Sequence, residues 1–520
     1  MSHFEQSSSA YQHIRLHGLG DVLREHRRSR PQQTAVVDEQ FKLNWPQLDS
    51  RVNQLANFLI AQKLGQGDRI LWLGQNSFRL LEALLAAAKI GAMLCPINWR
   101  QSPAEMTAVV DDYAPAIVLW QATDLADIAT EVREKSTHQA HWIQHDGDTN
   151  EQQSYEALIA SLPDTDPNLD IHPDTPVVAM YTAAFDGRPN AALLSQSAFL
   201  YQSLMIAYGQ TINESSVYLN SGPLFHLGTM LSTMATFCFG GKNVFTARVD
   251  AEEMLQLIEA HKVTHAFVVQ PTLMQIREIN TAGKYDTSSL WSTPDAPEWN
   301  SPLVMPVDAL FNKEPRVYGQ TEVMGFVTMG WLGGGGAGRV SPLAQVRILD
   351  DEGNEKAPNE TGEIAVRGVQ VMNGYLDREN ENNRRSRDGW HRTNDLGMRL
   401  DDGSIAFVGP KTTMIKSGVE NIYPAEVEAC LRKHPAVNDV CVIGVPDPKW
   451  QQNVKAVVVV DSEQEVTAEV LTEHCREHLA SYKKPKLVEF VTQLPRGGDG
   501  QINRTQVDKD HGGGGYPTTS

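Results

Sequence analysis

Two imidazoles four residues apart, in His474-Cys-Arg-Glu-His478, have the H-x-x-E-H spacing that sets two zinc ligands on one helical face. The pattern is short, and no third ligand is identifiable in the sequence. A solvated helix face with no metal is therefore the expectation. Gly333 to Gly338 satisfies G-x-G-x-x-G, the spacing of a loop that receives a pyrophosphate. Such a loop must leave a strand and open a helix, whereas β-type segments follow here. It reads as a flexible glycine loop. Asn213, Asn359 and Asn503 begin glycosylation-type triplets, which carry little meaning in a cytosolic chain. A Walker A lysine loop, a G-x-S-x-G elbow and a C-x-x-C pair are absent from the sequence.

The elements that would position any chemistry alternate. Residues 68–74, 92–97, 176–182 and 263–269 read as buried strands, and 78–90 and 195–208 as helices. That alternation predicts α/β architecture with parallel sheets. Residues 150–176 read as a polar surface connection and 281–306 as irregular. From Gly338 the texture changes to short alternating strands at 344–349, 362–367 and 404–408, an antiparallel β unit. A compact α+β segment follows, with helices at 424–433 and 467–480 and strands at 437–445 and 454–460. The expected division is 13–410, 411–510 and a disordered glycine-rich tail, 511–520.

Composition agrees with a soluble enzyme. The 520 residues are 41% hydrophobic and 21% charged. Against 45 basic side chains stand 64 acidic ones, a net charge of −19 that repels nucleic acid and anionic lipid. Five scattered cysteines (Cys95, Cys238, Cys430, Cys441, Cys475) suit a reducing compartment. The first twenty residues hold no apolar stretch of signal-peptide type. Residues 80–97 are the most membrane-like window, but Glu82, Lys89 and Pro96 make them a core helix running into a strand. A cytoplasmic location is expected.

Several segments, in consistent order from about residue 18 to 504, resemble the adenylate-forming superfamily, and within it the acyl-CoA synthetases. Tyr318-Gly-Gln-Thr-Glu322 resembles Tyr-Gly-x-Thr-Glu, and Gly389-Trp-His-Arg-Thr-Asn-Asp395 resembles Gly-Trp-x-x-Thr-Gly-Asp. Gly362-Glu-Ile to Gly374-Tyr375 resembles its Gly-Glu…Gly-Tyr stretch. Pro223-Leu-Phe-His226-Leu-Gly228 resembles the acyl-pocket element. Residues 414–428, with Lys416, Gly418, Glu420 and Asn421, resemble the loop opening a mobile C-terminal domain. Val445-Pro-Asp447 and Tyr482-Lys-Lys-Pro485 fit further on. The resemblance implies a large N-terminal acyl-adenylate-binding domain and a small mobile lid. It implies Thr321, Glu322, His226 and Lys416 as catalytic residues. Tyr318, Gly319, Gln320, Thr321, Asp395, Gly418, Glu420 and Asn421 would hold AMP and CoA. Tyr318 would offer a face to adenine, Thr321 a hydroxyl to phosphate and Asp395 a carboxylate to the ribose diol. Glu322 would sit near Mg²⁺.

The departures from that pattern are unevenly spread. The phosphate loop, Thr-Ser-Gly-Thr-Thr-Gly-x-Pro-Lys-Gly in the family, reads Thr182-Ala-Ala-Phe-Asp-Gly-Arg-Pro-Asn-Ala191. Glycines and lysine that cradle phosphate are lost, and Asp186 adds a charge of the wrong sign. At about 4 Å and an effective dielectric near 20, that repulsion is on the order of 4 kcal/mol per charge pair. The C-terminal lysine has become Gln501, in Pro495-Arg-Gly-Gly-Asp-Gly-Gln501. Loss of one transition-state donor lowers rate by about 10²–10³. Pro410-Lys-Thr-Thr413 replaces Arg-x-x-Asp, which puts Thr412 at the hinge and removes a ribose donor. Thr293-Pro-Asp-Ala-Pro297 stands in the neighbourhood of the adenine loop, and Asn394 replaces a glycine.

The losses fall on adenylation. The expected activity is formation of an acyl-CoA thioester from an acyl-adenylate and CoA, with the adenylate supplied by a separate enzyme. A conventional ATP- and Mg²⁺-dependent acyl-CoA ligase is the second reading, and a non-catalytic nucleotide- or acyl-binding scaffold the third. Which acid is carried is not legible in the sequence.

Overall fold

Ser77 accepts a hydrogen bond from the backbone of Arg79 and starts the helix Phe78–Ile90, which Gly91 ends at φ 75°. The chain then turns into the strand Met93–Pro96. Every residue of that helix is buried, Glu82 and Lys89 included. Each charge is matched. Glu82 receives Arg51 Nε at 2.5 Å and the Tyr155 hydroxyl at 2.9 Å. Lys89 Nζ donates to Asp49 (2.7 Å), Asn53 (2.6 Å) and Asp166 (2.7 Å). Removing one partner of such a set leaves an uncompensated buried charge. Lys89→Ala is expected to lower the stability of this half of the chain by about 3–5 kcal/mol, read by urea denaturation. A change below about 0.5 kcal/mol, the scale of an ordinary surface substitution, would contradict the reading.

The computed structural model describes residues 16–38, 41–147, 154–182, 189–290, 303–411, 413–418, 420–461, 466–496 and 502–515. The chain has α/β architecture, with a large N-terminal domain and a small C-terminal one. One six-stranded sheet runs His141–Gln144, Ile117–Trp120, Arg69–Leu73, Met93–Pro96, Pro176–Thr182 and Asn190–Ser195. Its first five strands are parallel; the last is antiparallel, because the short connection at 183–189 permits only a return. The other six-stranded sheet runs Leu303–Val304, His265–Phe267, Val217–Asn220, Lys242–Phe245, Thr34–Val37 and Lys42–Asn44, with antiparallel strands at both edges. The main core joins these sheets through the helices Trp45–Ala61, Phe78–Ile90, Gln196–Gln210 and Leu227–Cys238.

An antiparallel sheet follows, in which Trp390–Arg399 pairs with Gly362–Gly368 on one side and Ile405–Pro410 on the other. The C-terminal sheet centres on the long hairpin of Val437–Asp447 and Gln451–Val460. The helices Pro424–Leu431 and Ala468–His478 pack into one of its cores and Arg504–Asp510 into another. Among the described residues, no helix is long and apolar enough to cross a membrane.

Four expectations need correction. The 333–338 glycine run is a pinned turn: Gly335 N–H donates to Asp402 at 2.8 Å and Ala337 N–H to Ile405 O at 2.7 Å. A Cβ on Gly338, at φ 91°, would strike the Met329 carbonyl. Residues 150–176 contain the helix Tyr155–Ala160, capped by Ser154. The strand expected over 263–269 shortens to His265–Phe267. The tail is held as far as it is described, since Gly514 N–H donates to Gly444 O (3.0 Å) and Gln452 Nε2 to Gly515 O (2.8 Å). Residues 183–188, 293–297, 412, 497–501 and 516–520 lie outside the described residues, and with them Asp186, Thr412 and Gln501.

Candidate active site

The Tyr-Gly-Gln-Thr-Glu segment forms a hairpin. Val317–Gln320 pairs antiparallel with Gly325–Met329, and the register slips between Tyr318 and Gly319. The slip brings Gly319 so close to Gly325 that a Cβ would collide with the Gly325 carbonyl. A tight turn, Thr321–Val323, closes the hairpin, with Met324 left-handed at φ 56°. This geometry turns Tyr318, Gln320, Thr321 and Glu322 toward one cavity of about 790 Å³. Glu322 is buried and accepts from the Tyr375 hydroxyl at 2.8 Å.

Asp395 approaches from the strand Trp390–Arg399. Its Oδ2 accepts from the Tyr318 hydroxyl at 2.9 Å and from Gln320 Nε2 at 2.8 Å. Its Oδ1 accepts nothing from the described residues. Burial raises the Asp395 carboxyl to about 6, against the pull of those two donors. The Tyr318 ring stacks on Phe407 at 5.4 Å, and burial raises its phenol above the ordinary range. Pro410 pairs in register with Asp395 and also lines the cavity, while Lys411 turns away to Asp351 (2.8 Å) and Glu363 (3.4 Å).

The C-terminal domain supplies the facing wall. Strands Ile415–Ser417 and Glu420–Ile422 carry Lys416, Glu420 and Asn421 into the cavity. Gly418 makes the turn between them at φ 61° and does not line it. Lys416 Nζ donates to Asn421 at 2.8 Å, and burial lowers its ammonium below the ordinary value. His226, at the start of helix Leu227–Cys238, sets Nε2 3.3 Å from Glu420 Oε1 across the domain boundary. Burial opposes ionisation of Glu420, but the hydrogen bond to His226 and the positive charges of Arg100 and Lys416 outweigh it and hold the carboxyl low.

Ten of the eleven expected site residues thus border one cavity, with Gly418 set behind it. Sequence reasoning missed Asn98, Tyr181, Tyr423, Glu426 and Lys483, which also line it. Lys483 bridges the domains, donating to Glu105 at 2.6 Å and Glu426 at 2.7 Å. Burial works against its charge, yet the two carboxylates hold it above its ordinary value. Its position in Tyr482-Lys-Lys-Pro485 was the available signal, without a role attached. At the phosphate-loop end, Thr182 and Pro189 line the cavity; Asn190, in the lysine position, instead accepts from Arg378 Nε at 3.1 Å.

The profile described as AMP-binding enzyme matches residues 23–376. The chain belongs to that family. The AMP-binding enzyme C-terminal domain matches residues 426–501. Indoleacetate–CoA ligase of Aromatoleum aromaticum is 30% identical over 497 residues, 94% of this chain and 97% of the relative. Feruloyl-CoA synthase of an Amycolatopsis species is 31% identical over 511 residues, 96% and 100%. The o-succinylbenzoate CoA synthetase of Bacillus subtilis shares the fold at 24% identity. A double mutant of it, bound to its product analogue OSB-NCoA, gives a TM-score of 0.74 over 93% of this chain and 97% of that one. Its complex with the acyl-adenylate OSB-AMP gives 0.60 over 94% and 97%. This family member is an enzyme of the acyl-CoA ligase type.

Proposed function

We propose that the chain makes an acyl-CoA thioester and AMP from an acyl-adenylate and CoA, and that it adenylates poorly or not at all. The CoA sulfur attacks the acyl carbonyl carbon, the bond from that carbon to the phosphate oxygen breaks, and AMP leaves with the bonding electrons. The thiol proton passes to the His226–Glu420 pair. Tyr318, Gln320 and Asp395 hold the nucleotide, while Thr321 faces the phosphoryl oxygen. Lys416 and Asn421 close the other side, and Glu322 keeps the Tyr375 hydroxyl oriented.

One observation carries the reading. Lys416, Glu420 and Asn421 face the Tyr318–Asp395 cavity, whereas Arg496 and Ile502 make their contacts within the C-terminal domain. Arg496 pairs with Asp439 at 2.6 Å, Ile502 packs against a C-terminal core, and neither lines the cavity. The neutral side chains Asn190 and Gln501, in place of two lysines, support the loss of adenylation.

The test supplies purified protein with CoA and either synthetic acyl-adenylates or ATP, Mg²⁺ and the free acids. Indoleacetate, ferulate and 2-succinylbenzoate make the first panel. Thioester is expected from the adenylates and not from ATP plus acid. Pyrophosphate release from ATP at ordinary ligase turnover would overturn this reading. A conventional ATP-dependent ligase, favoured by the full-length likeness to two named CoA-forming enzymes, would take its place.

A further inference from the structure

The H-x-x-E-H helix has a third donor that the sequence does not announce. Cys430, near the end of helix Pro424–Leu431, lies beside His474 and His478 of helix Ala468–His478. Its sulfur and one nitrogen of each ring lie within 4.8 Å of one another. Zinc bonds of about 2.0–2.3 Å set tetrahedral ligand atoms roughly 3.3–3.8 Å apart, so side-chain rotation of about 1 Å closes the set.

The rings are already oriented by the backbone. His474 Nε2 donates to the Cys430 carbonyl at 3.1 Å and His478 Nδ1 to the His474 carbonyl at 2.8 Å. A ring whose N–H is committed to a carbonyl keeps its lone pair on the other nitrogen, which is the usual arrangement of metal-ligating histidine. The cluster runs from buried Cys430 to exposed His478, so one end of it meets solvent. His434 stands at its rim, ring centroid 5.3 Å from His474. A thiolate with two imidazoles suits a borderline-soft divalent cation of the zinc type better than Mg²⁺ or Ca²⁺.

The geometry points to a Zn²⁺ site formed by Cys430, His474 and His478, fastening two helices of the C-terminal domain. It is separate from the adenylate cavity. Cys430 lies one helical turn from Glu426, which binds the interdomain Lys483. The ion therefore acts on the stability of the lid and not on the reacting atoms.

The experiment uses full-length protein without an affinity tag. Stoichiometric Co²⁺ binding is expected, with a sulfur-to-cobalt charge-transfer band and tetrahedral ligand-field bands, both displaced by Zn²⁺. His478→Gln, at an exposed position, is expected to fold and to weaken Zn²⁺ binding at least tenfold, with loss of the Zn²⁺-induced rise in Tm. Cys430→Ser is expected to abolish the charge-transfer band; if it fails to fold, His474→Gln and His478→Gln decide the matter. His172→Gln, at an exposed imidazole elsewhere, is the control and leaves binding unchanged. Co²⁺ binding without a thiolate band, or unchanged Zn²⁺ affinity in His478→Gln, would overturn the proposal.

Discussion

Asp395→Ala is expected to lower acyl-AMP affinity by about 10²-fold or more. A carboxylate that accepts both hydroxyls of a ribose makes two charge-assisted hydrogen bonds, each worth about 1.5–3 kcal/mol. The same substitution removes the acceptor of the Tyr318 hydroxyl and the Gln320 amide, which adds a stability loss of about 1–3 kcal/mol for a buried unpaired donor. Asp395→Asn separates the two effects, because its carbonyl oxygen still accepts from Tyr318 but carries no charge. The pH dependence has a definite sign. Asp395 titrates at about 6 in the folded chain, above its ordinary 3.8. The folded state therefore binds the extra proton, and this group's contribution to stability falls as pH rises from 3.8 to 6. Acyl-AMP needs the ionised form, so its affinity rises with pH up to about 6 and is level above. Calorimetric titration of acyl-AMP across pH 5–8 reads the affinity, and a flat profile with unchanged affinity in Asp395→Ala would mean that Asp395 does not hold the ribose.

Gly319→Ala is expected to disable the same site by displacing the hairpin that carries it. The added methyl would meet the Gly325 carbonyl across the slipped hairpin, and neither strand can yield without moving Tyr318 or the Thr321–Val323 turn. Overpacking of this kind costs about 1–3 kcal/mol. The expected result is a lower Tm together with loss of acyl-AMP binding of at least tenfold. Gly65→Ala is the control, since a Cβ there meets nothing within 4 Å and the position lies outside the site. Equal affinity in Gly319→Ala and wild type would mean that the hairpin does not position the nucleotide site.

Features that depend on neighbours along the chain are legible before any folding is considered. Helix Phe78–Ile90 begins and ends where Ser77 and Gly91 say it should, because a cap is a bond to the next turn. Strands Pro176–Thr182, Ala344–Leu349 and Gly362–Gly368 follow from apolar runs and alternation, and the ordered motifs pointed to the family. Which of these pieces meet depends on packing between distant segments. Asp395 is tied to Tyr318 by strands that lie far apart in sequence, and its raised carboxyl comes from burial that no local pattern encodes. Lys483 finds Glu105 across the two domains, and the glycine tail finds Gly444. His474 and His478 share a helical face by period, but Cys430 reaches them only because two helices pack on one sheet. Periodicity and capping are properties of a few consecutive residues. Ion pairing, burial and ligand geometry depend on packing between distant ones, where a shift of an ångström decides whether a bond exists.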